Sequence, residues 1–222
     1  MPAWLRALEA LLVPRACVRC GTPAEGGLFC ARCEPLWLRP DPTPAPRPLT
    51  AWEAEVPYTG EWKEWIRRFK YPAPGLQGLD PAADAVVLAL ILRAARRLPP
   101  ELRAQAVVPV PLHPARFRER GFDQAALLAR SVARAERIAH LPRALERTRP
   151  TPRQTGLSRG ERRRNLRGAF RARRALPPCV WLVDDVATTG STLAEAARAL
   201  RRRGARRVVG LCAARTPAGV RD

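Results

Sequence analysis

The residues best equipped for chemistry lie in one stretch, 180–192, with the sequence VWLVDDVATTGST. Its first four apolar residues predict a buried strand. Asp184 and Asp185 then fall at the carboxyl end of that strand, where open α/β sheets place their ligands. Thr188, Thr189, Gly190, Ser191 and Thr192 make a short polar turn that enters a helix. Outward-facing N–H groups, hydroxyl donors and the helix dipole make such a turn a cradle for phosphate, and Gly190 allows close backbone approach. Thr192 and Glu195 have capping-box spacing, and Gly204 suits the far end of the same helix. Two carboxylates repel a phosphate, so they must face another part of the ligand. Ribose hydroxyls, which donate hydrogen bonds to carboxylates, complete a phosphorylated ribose. A P-loop is excluded, because no Gly-Lys-Ser/Thr follows the strand.

A second constellation is Cys17-x2-Cys20-x9-Cys30-x2-Cys33. Two tight turns that each aim two thiolates at one point are what tetrahedral Zn²⁺ requires. A redox pair or an iron–sulfur cluster is the competing assignment. With four cysteines as ligands no position stays open for catalysis, so the metal is structural and contributes about 10–16 kcal/mol to folding. Cys179 and Cys212 flank or occupy apolar runs and read as inert core thiols.

These residues need elements to hold them. Residues 3–13 have the spacing of a short amphipathic helix. Prolines 35, 40, 42, 44, 46 and 48 predict an extended, semi-rigid spacer. Beyond it, strands are expected at 53–58, 106–110, 180–183 and 207–213, with helices at 61–70, 81–98, 124–139 and 192–203. Apolar strands alternating with helices predict an α/β fold, a parallel sheet covered on both faces. The domains follow: 1–34 for the N-terminal helix and zinc module, 35–50 for the linker, 51–222 for the α/β body.

Of 222 residues, 40 are Lys or Arg and 20 are Asp or Glu, giving a net charge of +20 and a pull toward anions. Residues 141–174 carry 12 arginines against Glu146 and Glu161, about half of that excess. Such density favours a pyrophosphate, a polynucleotide backbone, or both, over a merely solvated loop. Trp62, Trp65, Ile66 and Phe69 share one helical face, so burial is favoured over base stacking. The start of the chain has no signal-peptide pattern, and no apolar run reaches membrane length. A cytoplasmic location is expected, including the inner face of the membrane.

The segment 180–192 closely resembles the 5-phosphoribosyl-1-pyrophosphate (PRPP) motif of type I phosphoribosyltransferases. That resemblance implies that Asp184 and Asp185 hold the ribose hydroxyls and that residues 188–192 cradle the 5′-phosphate, with Mg²⁺ arriving on the pyrophosphate. The strand and turn VVPVPLH, ending at His113, match the pyrophosphate turn, and residues 149–170 match the mobile active-site loop, offering Arg159, Arg162 and Arg163. More specifically, VPVPLHPARFRERGFDQAALLAR, RQTGLSRGERRRNLRGAF and VDDVATTGSTL together resemble the ComF family of late-competence proteins, which carries an N-terminal four-cysteine zinc module. Two departures stand out. Asp123 replaces the asparagine of RGFNQ, and Pro72-Ala73-Pro74 separates Gly75 from Lys70-Tyr71.

The resemblance implies a competence accessory protein that binds single-stranded DNA and meets membrane-associated DNA-uptake proteins. The second reading is an active Mg²⁺-dependent transferase acting from PRPP on an unknown acceptor. Against it, Thr188 stands where some purine-salvage transferases carry an aspartate base, and no segment looks like a nucleobase pocket. No catalytic residue is assigned.

Overall fold

The computed structural model describes residues 16, 17, 20–24, 29–33, 40, 42–71, 80–112, 117, 118, 121–149 and 159–217. The helix expected at 3–13 lies outside them. Among the described residues the elements in chain order are β1 (Ala51–Pro57), α1 (Gly60–Lys70), α2 (Pro81–Arg96), β2 (Ala106–Pro109), α3 (Gln124–Glu136), β3 (Ala139–His140), β4 (Leu145–Arg147), α4 (Arg159–Leu166), β5 (Phe170–Ala172), β6 (Cys179–Ala187), α5 (Ser191–Arg201) and β7 (Arg207–Arg215). Five strands form one sheet in the order β1-β7-β6-β2-β3, with every pairing parallel. The predicted architecture is therefore the one observed, a parallel sheet with helices on both faces.

The faces are set by side-chain alternation. Cys179, Trp181 and Val183 of β6 join a core with α1, α2 and α3, whereas Val180 and Leu182 join a second core with α5 and the β4–β5 ribbon. Beyond Val183 the alternation slips by one residue. Val186 packs against the first core and Ala187 lies in the second, so the slip falls on Asp184 and Asp185.

Boundaries differ from expectation where short-range chemistry decides them. Helix α3 stops at Glu136 rather than 139, because Arg137 turns left-handed at φ 56° and frees the chain for β3. Within the arginine-rich stretch, expected as a loop, β4 and β5 pair antiparallel and α4 lies between them. Leu145, Phe170 and Ala172 bury the inner side of that ribbon. The described residues 42–50 form no helix or strand, yet they are anchored. Leu49 is buried in the second core, the Trp52 Nε1 donates to the Thr43 carbonyl at 2.8 Å, and the Thr50 hydroxyl accepts from Val208 N at 3.2 Å.

Candidate phosphoribosyl cleft and cysteine cluster

The central strand β6 runs to Ala187, four residues past the expected end, so Asp184 and Asp185 sit inside its last turn of ladder. Asp184 pairs in register with Cys212 of β7, and its carboxyl accepts from the Asp185 backbone N–H at 3.0 Å. Burial, then the neighbouring Asp185 charge, pushes the Asp184 carboxyl up to about 7, with Lys70 opposing. Cys212 is buried at the back of this pair, and burial drives its thiol well above the ordinary range, in keeping with the inert role expected.

Two residues that sequence reasoning left out of the site complete it. Lys70, at the end of α1, places Nζ 3.2 Å from the Asp185 carboxylate. Asp123 caps α3 by accepting from Ala126 N at 2.9 Å, and its second oxygen accepts from Leu112 N at 3.4 Å. It thereby ties the turn after β2 to the start of α3. Burial, with Asp185 adding to it, raises the Asp123 carboxyl. The signal was present in part: an Asp just before a helical run is an N-cap pattern. The Lys70 contact spans 115 positions and has no local signature.

The turn after β6 leads into α5 through Gly190, which is left-handed at φ 71° and caps the helix. The Thr189 and Ser191 hydroxyls lie 2.8 Å apart, and Ser191 N donates to Thr189 Oγ1 at 3.4 Å. Here two expectations change. Thr192 is not the N-cap, because the helix begins one residue earlier and no side chain caps it. Glu195 instead accepts from Gly168 N at 2.8 Å and from Arg198 at 2.6 Å, fastening α5 to the turn after α4. Gly190 also has a second reason to be glycine: a Cβ there would come within 2.6 Å of Pro46 Cγ and 2.8 Å of the Trp52 ring.

The structure brings Asp184, Asp185 and residues 188–192 together at the carboxyl edge of the sheet. His113 lies outside the described residues. Arg159, Arg162 and Arg163 belong to α4, and only their place on that helix is described.

The four cysteines converge. The Sγ atoms of Cys17, Cys20, Cys30 and Cys33 all lie within 4.8 Å of one another, and those of Cys20 and Cys30 are 3.7 Å apart. Zn–S bonds of about 2.3 Å in a tetrahedron separate sulfurs by about 3.8 Å, so the cluster fits such an ion. The knuckle docks on the body through Phe29, whose ring meets Trp62 of α1 edge-on at 5.5 Å. Of the four residues on the shared face, Trp62, Ile66 and Phe69 are buried as expected, whereas Trp65 is only half-buried, with the Arg68 guanidinium 4.6 Å from its ring centre.

Comparison with known proteins finds relatives along most of the chain. The chain is 34% identical to the DNA utilization protein YhgH of Escherichia coli strain K12 over 202 residues, 90% of this chain and 84% of that protein. It is 35% identical to YhgH of Salmonella typhimurium over 209 residues, with the same coverage. It is also 40% identical to Competence protein F of Haemophilus influenzae over 124 residues, which is 54% of each chain. No family model matches. Solved structures similar to it include a glutamine PRPP amidotransferase from B. subtilis, at 21% identity and TM-score 0.41 over 66% of this chain and 30% of that one. Another is orotate phosphoribosyltransferase from Aeropyrum pernix, at 20% identity and TM-score 0.36 over 61% and 73%. A parallel α/β sheet with a polar carboxyl edge and an appended thiol cluster defines the class. The chain belongs to the ComF family, whose members include Competence protein F and YhgH.

Proposed function

We propose that this protein is a ComF-type accessory of DNA uptake that binds single-stranded DNA and holds a phosphorylated ribose at the carboxyl edge of its sheet. The observation that carries this reading is the run from Asp184 and Asp185 at the end of β6 into the hydroxyl-lined turn at the start of α5. In this reading the carboxylates take ribose hydroxyls and residues 188–192 take the 5′-phosphate. Mg²⁺ travels with the pyrophosphate of PRPP. Asp123 supports the turn after β2 that would face that pyrophosphate, and Lys70 offers it a cation. The cysteine cluster holds structural zinc, and the expected divisions at residues 34 and 50 belong to the same proposal. Among the described residues no helix is long and apolar enough to cross a membrane.

Calorimetric titration of Mg-PRPP into the zinc-loaded protein tests the site. Binding is expected for the wild type and at least a tenfold loss for Asp184→Ala/Asp185→Ala. Absence of heat in the wild type, or equal affinity in the double variant, overturns the ribose assignment. A mobility shift with single-stranded DNA across a salt series tests the other half, and absence of binding at low salt removes it. Asp184 gives the transferase reading its one foothold, since a carboxyl titrating at about 7 can exchange a proton at neutral pH. Release of pyrophosphate from PRPP, lost in Asp184→Asn, would decide for it.

A further inference from the structure

Two adjoining cavities open on the face of the sheet that carries α5. The larger, about 730 Å³, lies between α4 and α5 and is lined by Arg164, Arg167, Gly168, Glu195, Arg198 and Arg202. The second, about 510 Å³, shares Gly160, Glu195 and Arg198 with it and continues past Arg47 to Thr189 and Ser191. Together they form one groove that ends at the phosphate turn. Ser191, Glu195, Arg198 and Arg202 recur at helical spacing, so they line one stripe of α5. From Ser191 to Arg202 that stripe is about 16 Å long.

The charge along the groove is one-sided. Arg47, Arg164, Arg167, Arg198 and Arg202 face a single acid, Glu195, whose two oxygens are already taken by Gly168 N and Arg198. Among the described residues no aromatic side chain lines the groove. Such a wall attracts a chain of phosphates and offers no ring for bases to stack on.

We propose that this groove is the track for the sugar-phosphate backbone of single-stranded DNA, running along α5 toward the phosphate turn. This rests on the DNA-binding half of the proposed function and assigns it a place apart from the ribose carboxylates. Arginine guanidinium forks suit phosphate oxygens, and a stacked strand sets its phosphates about 3.4 Å apart along the axis, so the stripe accommodates about five. The strand is held by its backbone, with its bases turned outward and unread.

The test is fluorescence anisotropy of a labelled 20-mer of thymidylate, without a 5′-phosphate, against the zinc-loaded full chain over a KCl series. Five neutralised phosphates give a slope of log K against log[salt] of about −3.5. Arg164→Gln/Arg202→Gln, both exposed positions, is expected to reduce that slope by about 1.4 units, and Arg164→Lys/Arg202→Lys to restore it. Arg96→Gln/Arg130→Gln removes equal charge from exposed positions on α2 and α3 and is expected to leave the slope within about 0.3 units of wild type. An unchanged slope in the groove variant, or an equal fall in the α2–α3 control, overturns the track while the DNA-binding reading stands. A wild type that does not bind removes both. Thymidine monophosphate binding as tightly as the 20-mer also overturns the track, since it identifies a site for one phosphate.

Discussion

Arginines on the two faces of the sheet have different employment. Beside α2 and α3 several are spent on carboxylates. Arg93 and Arg97 of that layer both reach the buried Glu55 of β1, Arg97 also reaches Glu53 at 2.7 Å, Arg68 grips Asp80, and Arg103 meets Glu136 at 2.6 Å. Beside α5 the balance reverses: Arg47, Arg164, Arg167, Arg198 and Arg202 line the groove with Glu195, which pairs with Arg198. The β4–β5 ribbon on that side is a local exception, with Glu146 holding Arg171 and Arg173. The net charge of the chain is therefore a poor guide to where an anion binds. What matters is the charge left after internal pairing, and the groove beside α5 is one place where it gathers.

The contrast can be broken most forcefully at its structural end. Glu55→Ala leaves the Arg93 and Arg97 heads without their buried carboxylate, and a loss of about 3 kcal/mol is expected in urea denaturation. A loss under about 0.5 kcal/mol would place this cluster with ordinary surface pairs.

Next comes the hinge between the faces. Gly190→Ala must take a left-handed backbone and displace Pro46 or Trp52, so about 2 kcal/mol of stability is expected to go, together with ribose-phosphate affinity. Loss of affinity with an unchanged melting temperature would show that the glycine serves the ligand alone.

A smaller effect concerns pH. Asp184 keeps its proton up to about 7 in the fold, whereas an ordinary aspartate releases it near 4. Between those values the folded state holds the extra proton, so stability from this group falls as pH rises through that window. Asp184→Asn is expected to flatten the decline in melting temperature between about pH 4 and pH 7. An identical decline in the variant would assign it to other groups.

The smallest change sharpens the comparison. Arg164→Gln/Arg202→Gln is expected to leave unfolding free energy within about 0.5 kcal/mol of wild type. A larger loss would mean that these arginines, too, are structural.

Much of the fold was legible because its signals are local. Val180, Trp181, Leu182 and Val183 could hardly be anything but a buried strand, and Trp62, Ile66 and Phe69 mark the inner side of α1 by spacing alone. The cysteine cluster was legible for a similar reason, since each pair of thiols lies only three residues apart. The β4–β5 ribbon was hidden because three-residue strands carry too little alternation to show through so many arginines. Lys70 on Asp185 and Pro46 under Gly190 were hidden because chain-distant contacts leave no periodicity. The proline spacing described the local conformation of 42–50 and said nothing of what that segment leans on. Asp123 was noticed only as an unexpected residue, when its position before α3 already suggested the cap it forms.

Helix α1 joins two parts of the molecule that have so far been treated separately. Trp62 near its start rests against Phe29, and Lys70 at its end holds Asp185, about 12 Å further along the axis. A helix of this length behaves as a stiff rod. Its near end is seated on the thiol knuckle, and its far end carries the cation of the cleft. The knuckle is in this sense a bearing: the aim of the ammonium group at Asp185 is set from the opposite end of the rod.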